Sequence, residues 1–165
     1  MLFDDLITNL KIPDEIRERT QKLMNDGEIP MFALIGDLDL KGRYGLSAIV
    51  VTDKRVFAFD KSYNDGCSVI DIRSISEAKV KRMYGNALLR IEQDGKITTI
   101  FRFTYSVAAL ADAAAVFITE VSAGKDPHKE LETVEATFDK MKSYCPKFGR
   151  ALSHPGAECI NCASK

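Results

Sequence analysis

The chain has 165 residues, enough for one domain with short appendages, or for one domain and a mini-domain too small to keep its own core. Lys and Arg total 23 against 24 Asp and Glu, and the net charge of -1 gives no electrostatic reason to expect nucleic acid as a partner. The hydrophobic share of 45% suits a globular core, and the apolar runs are far shorter than the ~20 residues that a bilayer span requires.

The N-terminal stretch MLFDDLITNLKIP argues against export. Two acids stand where a secretory signal would carry bases, and there is no small-residue cleavage site. We therefore expect a cytoplasmic protein with no transmembrane segment in this chain. In that reducing compartment, clustered cysteines are better interpreted as metal ligands than as disulfides.

Two helices are predicted in residues 1–29. The first ten residues carry an apolar stripe at helical spacing, which predicts a short helix that covers the core, or one that binds a membrane surface or a partner. A second helix begins near Pro13 and ends at Asn25-Asp26-Gly27. The stripe of the first helix is Leu2, Phe3, Leu6, Ile7 and Leu10, and that of the second is Ile16, Leu23 and Met24.

From Pro30 to Tyr105 the apolar pattern changes to that of strands. About seven strands follow one another through short turns, and Asp94-Gly95 is the strongest hairpin signal because a type I′ turn needs positive φ at both central positions. This antiparallel succession predicts a barrel or an orthogonal sandwich from about 30 to 105. The strand segments are MFALIGDLDL, LSAIVVT, VFAFD, CSVIDI, ISEAKVKRMY, ALLRIEQ and KITTIFRFTY.

A helix follows the strands, from about 106 to 123, with Ser106 as a plausible N-cap and Ala123-Gly124 as its end. We expect it to close the open end of the barrel or sandwich. A further helix is predicted from about His128 to Met141, after Pro127. The predicted buried stripes are Leu110, Ala114, Phe117 and Val121 in the first of these helices, and Leu131, Val134, Phe138 and Met141 in the second.

The expected fold class is therefore α+β, mainly β, in four segments. These are N-terminal helices (1–29), a seven-stranded antiparallel barrel or sandwich with its capping helix (30–124), a connecting helix (125–142) and a cysteine-bearing tail (143–165).

Seven antiparallel strands followed by one capping helix is the order of the pleckstrin-homology (PH) superfold, which includes GRAM and bacterial PH-like domains. The segment GDLDLKGRYGLSAIVVTDKRVFAFD also resembles the domain found ahead of the membrane-spanning part in a group of bacterial ABC exporters. The matching elements are Asp37-Leu38-Asp39, Gly42-Arg43-Tyr44-Gly45 and Val51-Thr52-Asp53-Lys54-Arg55.

In that group the PH-like part is followed by a helix and a small zinc ribbon of the form C-P-x-C-G-R-x-L … C-x-x-C, and residues 145–162 are similar to it. Phe148 stands where the second ligand belongs, which leaves Cys145, Cys159 and Cys162. His154 could complete a Cys₃His zinc site. The alternative is a degenerate ribbon in which the Phe148 ring fills the vacated volume.

The resemblance implies a non-catalytic accessory or regulatory domain on the cytosolic side of an ABC exporter, with a protein partner in the same or another chain. No phosphate-binding loop is present in the sequence, so we expect no ATP hydrolysis. Neither His128 nor His154 stands in a recognisable nucleophile signature, so we expect no other enzymatic activity. The alternative is a free-standing PH or GRAM-like module that binds a lipid or a peptide at the membrane surface.

Basic residues at predicted turns are the candidates for an anionic ligand. Arg43, Lys54 and Arg55 could bind a phosphate, or they could form a solvated surface compensated by neighbouring acids. A second basic stretch, KVKRMY, is interpreted as an exposed strand face. The acids that neighbour the first set are Asp37, Asp39 and Asp53, and the bases of the second stretch are Lys79, Lys81 and Arg82.

The remaining cysteine, Cys67, lies in a predicted strand and is interpreted as a small core residue.

Overall fold

The computed structural model describes residues 3–141 together with 157 and 162, and these form two β-sheets with three helices. The strands are β1 (Ile7–Thr8), β2 (Pro30–Leu38), β3 (Tyr44–Thr52), β4 (Arg55–Phe59), β5 (Cys67–Asp71), β6 (Glu77–Arg82), β7 (Ala87–Gln93) and β8 (Lys96–Phe103). The helices are α1 (Asp14–Leu23), α2 (Ala108–Ser122) and α3 (Pro127–Met141).

The predicted α+β class is confirmed, and so are all seven predicted strands. They form two sheets and no closed barrel, so the sandwich is the correct alternative. One sheet has the order β1-β2-β3-β4-β5 and the other has the order β6-β7-β8. Apart from β1, every neighbouring pair is antiparallel, as short connections require.

The central strands of the five-stranded sheet are buried on both faces. Successive side chains of a strand point to opposite faces of the sheet, and β2 has apolar side chains on both faces. Phe32 and Leu34 face the core between the two sheets, whereas Ala33 and Ile35 face a second core under α1. The exposed large apolar side chains of this sheet lie at the start of β3 and in β5: Tyr44, Leu46 and Val69.

The helix predicted over the first ten residues is wrong for residues 3–10. Ile7 and Thr8 form a strand parallel to β2, with Ile7 opposite Phe32, and Asn9 exchanges hydrogen bonds with the backbone of Ile35. The free edge of β2 supplies backbone partners that a short isolated helix lacks, so tertiary pairing overrides the local pattern. The expected packing on the core is kept by Phe3, which is buried.

The predicted second helix is confirmed as α1. Ile16 lies in the second core as expected, but Leu23 is 40% exposed. The buried position near the end of the helix belongs to Thr20, whose hydroxyl donates to the Ile16 carbonyl and so satisfies its polar atom locally.

The Asp94-Gly95 hairpin is confirmed by its backbone angles. Asp94 has φ +50° and Gly95 has φ +76°, the positive values that a type I′ turn needs. The turn joins β7 to β8 and pairs Gln93 with Lys96. Local turn chemistry therefore sets the register of this half of the sheet.

The capping helix is confirmed as α2, and its predicted stripe is buried. Phe117 packs edge-on against Phe32 of β2, with ring centroids 5.1 Å apart. Ser106 is not the N-cap: it lies in a 3₁₀ turn before the helix, and its hydroxyl contacts Thr104. Gly124 ends the helix with φ +100°.

α3 packs on α2 and buries Val134 and Phe138, as the sequence predicts. Helix α2 is therefore covered on several sides and is apolar almost all round. Within the described residues, the helical stretch Tyr105–Ser122 is the one whose length and composition would permit a membrane span, with a mean hydropathy of 1.3. More than half of it is buried in the protein, which is typical of a core helix.

Candidate functional site

Arg43 is held by a carboxylate of its own loop. Asp39, which is 2% exposed, accepts hydrogen bonds from the backbone N–H groups of Lys41 and Arg43 and from Arg43 Nε at 3.2 Å. The bond from the Arg43 N–H lowers the pKa of Asp39 most, burial opposes this, and the Arg43 side chain lowers it further. Gly42 provides the positive φ of +82° that the turn needs.

Arg55 is held by the buried carboxylate of Glu28. Arg55 Nη2 lies 2.6 Å from Glu28 Oε2, Thr52 Oγ1 donates to Glu28 Oε1 at 2.6 Å, and Arg55 also donates to the Leu23 carbonyl. Burial alone would raise the pKa of Glu28, but the bonds from Arg55, Thr52 and Asn25 together lower it. We call Glu28, Thr52 and Arg55 the Glu28 clamp, because it ties the end of α1 to the β3–β4 turn.

The three predicted anion-binding bases are not brought together. Arg43 and Arg55 lie at opposite ends of β3, a nine-residue strand that spans about 30 Å. Lys54 lies beside Arg55 at the β3–β4 turn and is exposed. Of the neighbouring acids, Asp39 pairs with Arg43, whereas Asp37 accepts a hydrogen bond from the Thr104 hydroxyl and Asp53 accepts one from the backbone N–H of Ile29.

The residues that carry the exporter resemblance therefore have structural roles here. The D-L-D-x-x-G-R-Y-G stretch closes the β2–β3 turn through Asp39, Gly42 and Arg43. The V-T-D-x-R stretch supplies Thr52 and Arg55 to the Glu28 clamp. These motifs specify turn geometry and provide no reactive group.

The predicted zinc ligands fall almost entirely outside the described residues. Cys145, His154 and Cys159 lie outside them, as does Phe148, and Cys162 is exposed. Within the described part of the chain, no group of three or more His, Cys, Asp or Glu is placed to hold a metal ion. The zinc site stays a prediction from the sequence.

Cys67 lies at the start of β5, half-buried against the second core. Burial raises the pKa of its thiol, while the charge of Arg19 opposes this rise. A thiol with a raised pKa is mostly protonated and unreactive at neutral pH, which agrees with the predicted packing role.

The three-stranded sheet has two edges, and α2 covers the β6 edge. Thr119 Oγ1 accepts from the Ala78 N–H at 3.0 Å and lies 3.3 Å from the Ala78 carbonyl. Ser122 donates to the carbonyl of Ile75, at the start of the same edge. These side chains occupy backbone groups that would otherwise be open to a further strand.

The β8 edge is open over its first half. Lys96, Ile97 and Thr98 are exposed, and Ile97 is 55% exposed. Among the described residues no side chain forms a hydrogen bond to the backbone of 96–99. Farther along, Phe101 and Phe103 are buried in the main core. The open half-strand is thus a place where an extended segment could add to the sheet.

The outer face of the same sheet carries four bases in two cross-strand rows. Lys79 of β6 lies opposite Arg90 of β7, and Lys81 lies opposite Leu88, which in turn pairs with Arg102 of β8. We call Lys79, Lys81, Arg90 and Arg102 the basic face. Neither row contains an acid, although Lys79 Nζ lies 3.0 Å from Glu77 in the next row.

Beside the basic face, the β6–β7 hairpin tip (residues 83–86) exposes apolar and aromatic side chains. Tyr84 is fully exposed and Met83 is 40% exposed. Tyr105, itself 49% exposed, donates its hydroxyl to the Met83 carbonyl and so fixes one side of the tip. Arg82 is bound to Asp112 of α2 at 2.7 Å.

Half of this surface was expected from the sequence. Lys79 and Lys81 lie on the exposed strand face that the sequence predicts, whereas Arg82 points to the opposite face and pairs with Asp112 of α2. Arg90 and Arg102 were not expected on this face. The available signal for Arg90 was the apolar–charged alternation Leu89-Arg90-Ile91-Glu92 in β7, which places Arg90 on the face opposite the apolar side chains. Only the register of the sheet shows that these bases share a face with those of β6.

No protein-family model matches the chain, and no curated protein matches it. Several solved structures are similar to parts of it, including the following two. A DUF1696-family protein with a pleckstrin-homology domain from Shewanella loihica PV-4 is 20% identical, with 55% of this chain and 82% of that chain covered and a TM-score of 0.38. A pleckstrin-homology domain from Shewanella amazonensis SB2B is 19% identical, with 61% and 85% covered and a TM-score of 0.41.

Proposed function

We propose that this chain is a non-catalytic, PH-like interaction module that docks onto a protein partner through the open edge of β8. The observation that carries this is the uncovered half-strand with Ile97 exposed at its centre. An extended segment of the partner would gain backbone hydrogen bonds along this edge, and Ile97 would supply an apolar contact. The β6 edge is occupied by α2, so β8 is the free edge of this sheet.

The proposed partner is the cytosolic part of a bacterial ABC exporter, in the same or another chain. Support comes from the resemblance of the segments around Asp37-Leu38-Asp39 and Val51-Thr52-Asp53-Lys54-Arg55 to the domain that precedes the membrane part of such exporters. The module would act at the cytosolic face of the membrane, as an accessory or regulatory element.

Site-specific crosslinking tests this proposal. A photo-reactive amino acid replaces Ile97 in the full chain, in the cells that normally make it, and crosslinked products are identified by mass spectrometry. We expect a product that contains both membrane spans and a phosphate-binding loop. The matched control places the same amino acid at Leu10, which is 59% exposed on the α1 side of the molecule. The same product from both positions, or products without transporter sequence, would contradict the proposal.

A further inference from the structure

We propose that the open edge of β8 selects an acidic extended segment, in which a Glu or Asp beside Thr99 lies two residues from an apolar residue beside Ile97. This inference rests on the proposed function, because it names the chemistry of the segment that docks at that edge. Its basis is the arrangement of charges on the sheet face that the docked segment would extend.

The outer face of the three-stranded sheet is divided into rows of different charge. One row ends at Ile97 and contains two acids, and the next ends at Thr99 and contains two bases. A strand added beside β8 would place alternate side chains on this face, one at the end of each row. The first row is Glu77, Glu92 and Ile97, and the second is Lys79, Arg90 and Thr99. The two rows therefore favour different residue types at positions two apart in the docked segment.

The row that ends at Ile97 disfavours an acid in the docked segment. Ile97 is 55% exposed and would contact the neighbouring side chain directly, while Glu92 and Glu77 lie behind it, opposite each other. A carboxylate beside Ile97 would face an apolar side chain and add to the negative charge of this row. An apolar residue, above all a β-branched one, would instead cover Ile97.

The row that ends at Thr99 favours an acid. Lys79 and Arg90 lie directly opposite each other, and like charges at such positions destabilise a sheet. Among the described residues Arg90 forms no ion pair, and the pair of Lys79 with Glu77 is solvent-exposed and therefore weak. A carboxylate that enters this row from the β8 edge would reduce the repulsion between the two bases.

The geometry permits that contact. A docked strand would lie two strand spacings, about 10 Å, from β7, and a Glu side chain and the Arg90 side chain extend toward each other across this separation. A cavity of about 280 Å³ on this face is lined by residues that include Arg90, Lys79 and Ile97, so there is space for a carboxylate against the guanidinium. Arg90 is half-buried, which limits the screening of its charge by salt.

The third row extends the positive charge away from Ile97. It contains Lys81, Leu88 and Arg102 and no acid. A one-residue slip of the docked segment would turn its acid to the opposite face of the sheet, and a two-residue slip in one direction would place the acid beside Ile97. Charge therefore sets the register of the segment as well as its composition.

Synthetic seven-residue peptides test this selection with the full chain. The probe is acetyl-Thr-Glu-Thr-Val-Thr-Glu-Thr-amide, whose pattern is the same in either strand direction, and its counterparts carry Gln or Lys in place of both Glu residues. NMR titration of the isotopically labelled chain should show shifts centred on residues 96–99. We expect the Glu peptide to bind roughly fivefold more tightly than the Gln peptide, and the Lys peptide to bind most weakly. The difference should shrink as the salt concentration rises.

Two variants identify the charge that is recognised. Arg90→Gln should reduce the affinity for the Glu peptide to about that for the Gln peptide. Arg19→Gln is the matched control, because Arg19 is also half-buried but lies on α1, and it should keep the preference of the parent chain. A preference that survives Arg90→Gln, or that is lost equally in both variants, would overturn the assignment to this row.

The outcomes separate this inference from the docking proposal. Equal affinities of the three peptides at residues 96–99 would overturn the acidic selection and leave β8 as a docking edge. Shifts centred on Arg43 or Lys54 would assign the acids to those turns and overturn the inference. Absence of binding by all three peptides would also overturn it, while the crosslink at position 97 decides the docking partner independently. If that crosslink forms, its partner segment should carry a Glu or Asp two residues from the crosslinked residue.

Discussion

Glu28 lies in the loop after α1, only 3% exposed, and its carboxylate accepts hydrogen bonds from Thr52 and Arg55. The Arg55 guanidinium is largely buried, and Glu28→Gln would remove the carboxylate that balances its charge. We expect a loss of about 3 kcal/mol in the free energy of unfolding, measured by urea titration. The control is Asp14→Asn, which removes the exposed ion pair with Arg17 and should cost less than about 1 kcal/mol. Equal effects of the two substitutions would contradict a stabilising Glu28 clamp.

The same carboxylate predicts an acid dependence of stability. The pKa of Glu28 in the folded chain lies below its ordinary value of 4.5, so folding favours the ionised form. The contribution of the Glu28 clamp should therefore be complete above pH 4.5 and decline as the pH falls through the folded pKa. Unfolding free energies of the parent and Glu28→Gln should converge in that acidic range. A difference that stays constant from neutral pH into this range would contradict the prediction.

At the scale of elements, α2 should be indispensable because it faces both the sheets and α3. Phe117 is 1% exposed and packs on Phe32, so Phe117→Asp would place an unpaired charge in the core. We expect a loss of more than about 4 kcal/mol, or a chain that fails to fold, as measured by thermal or urea unfolding. Val116→Asp is the matched control, since Val116 is the adjacent residue and is 49% exposed. Similar melting of both variants would mean that α2 does not close the core.

The same helix also protects the β6 edge. Thr119→Val keeps the shape of the side chain but removes the hydroxyl that contacts the Ala78 N–H and carbonyl. We expect a loss of about 1–2 kcal/mol and faster hydrogen exchange at Ala78. Thr137→Val is the control, because among the described residues the Thr137 hydroxyl bonds only to the Thr133 carbonyl of its own helix. Unchanged exchange at Ala78 would show that the hydroxyl does not protect this edge.

At the scale of the whole molecule, the zinc site in the cysteine-bearing tail (143–165) stays a prediction from the sequence. If Cys145, His154, Cys159 and Cys162 form a Cys₃His site, native mass spectrometry of the chain should find one zinc per molecule. Both Cys159→Ser and His154→Ala should then lose the metal, whereas loss only in the cysteine variant would exclude His154 as a ligand. A metal-free parent chain would favour the degenerate ribbon with Phe148 in the vacated position.

The two cores explain why some segments were predictable and others were not. In strands such as β4, the side chains that point to either face of the sheet are apolar, which is the pattern of a strand buried on both faces. The first ten residues have a helical stripe, yet Ile7 and Thr8 pair with β2. Their conformation depends on an edge that lies more than twenty residues farther along the chain, which no local pattern reports.

The sequence by itself determined the seven strands, the hairpin at Asp94-Gly95 and the helices α1, α2 and α3, because apolar period and turn chemistry are local properties of the chain. Only the tertiary structure decided which polar groups meet. Glu28 and Arg55 lie 27 residues apart, and Lys79 and Arg102 share a face only because β7 lies between β6 and β8 and because the β7–β8 register shifts at Leu89/Arg90, which sets Arg102 opposite Leu88. Without that shift the Arg102 side chain would turn to the opposite face, so the basic face follows from long-range pairing and packing.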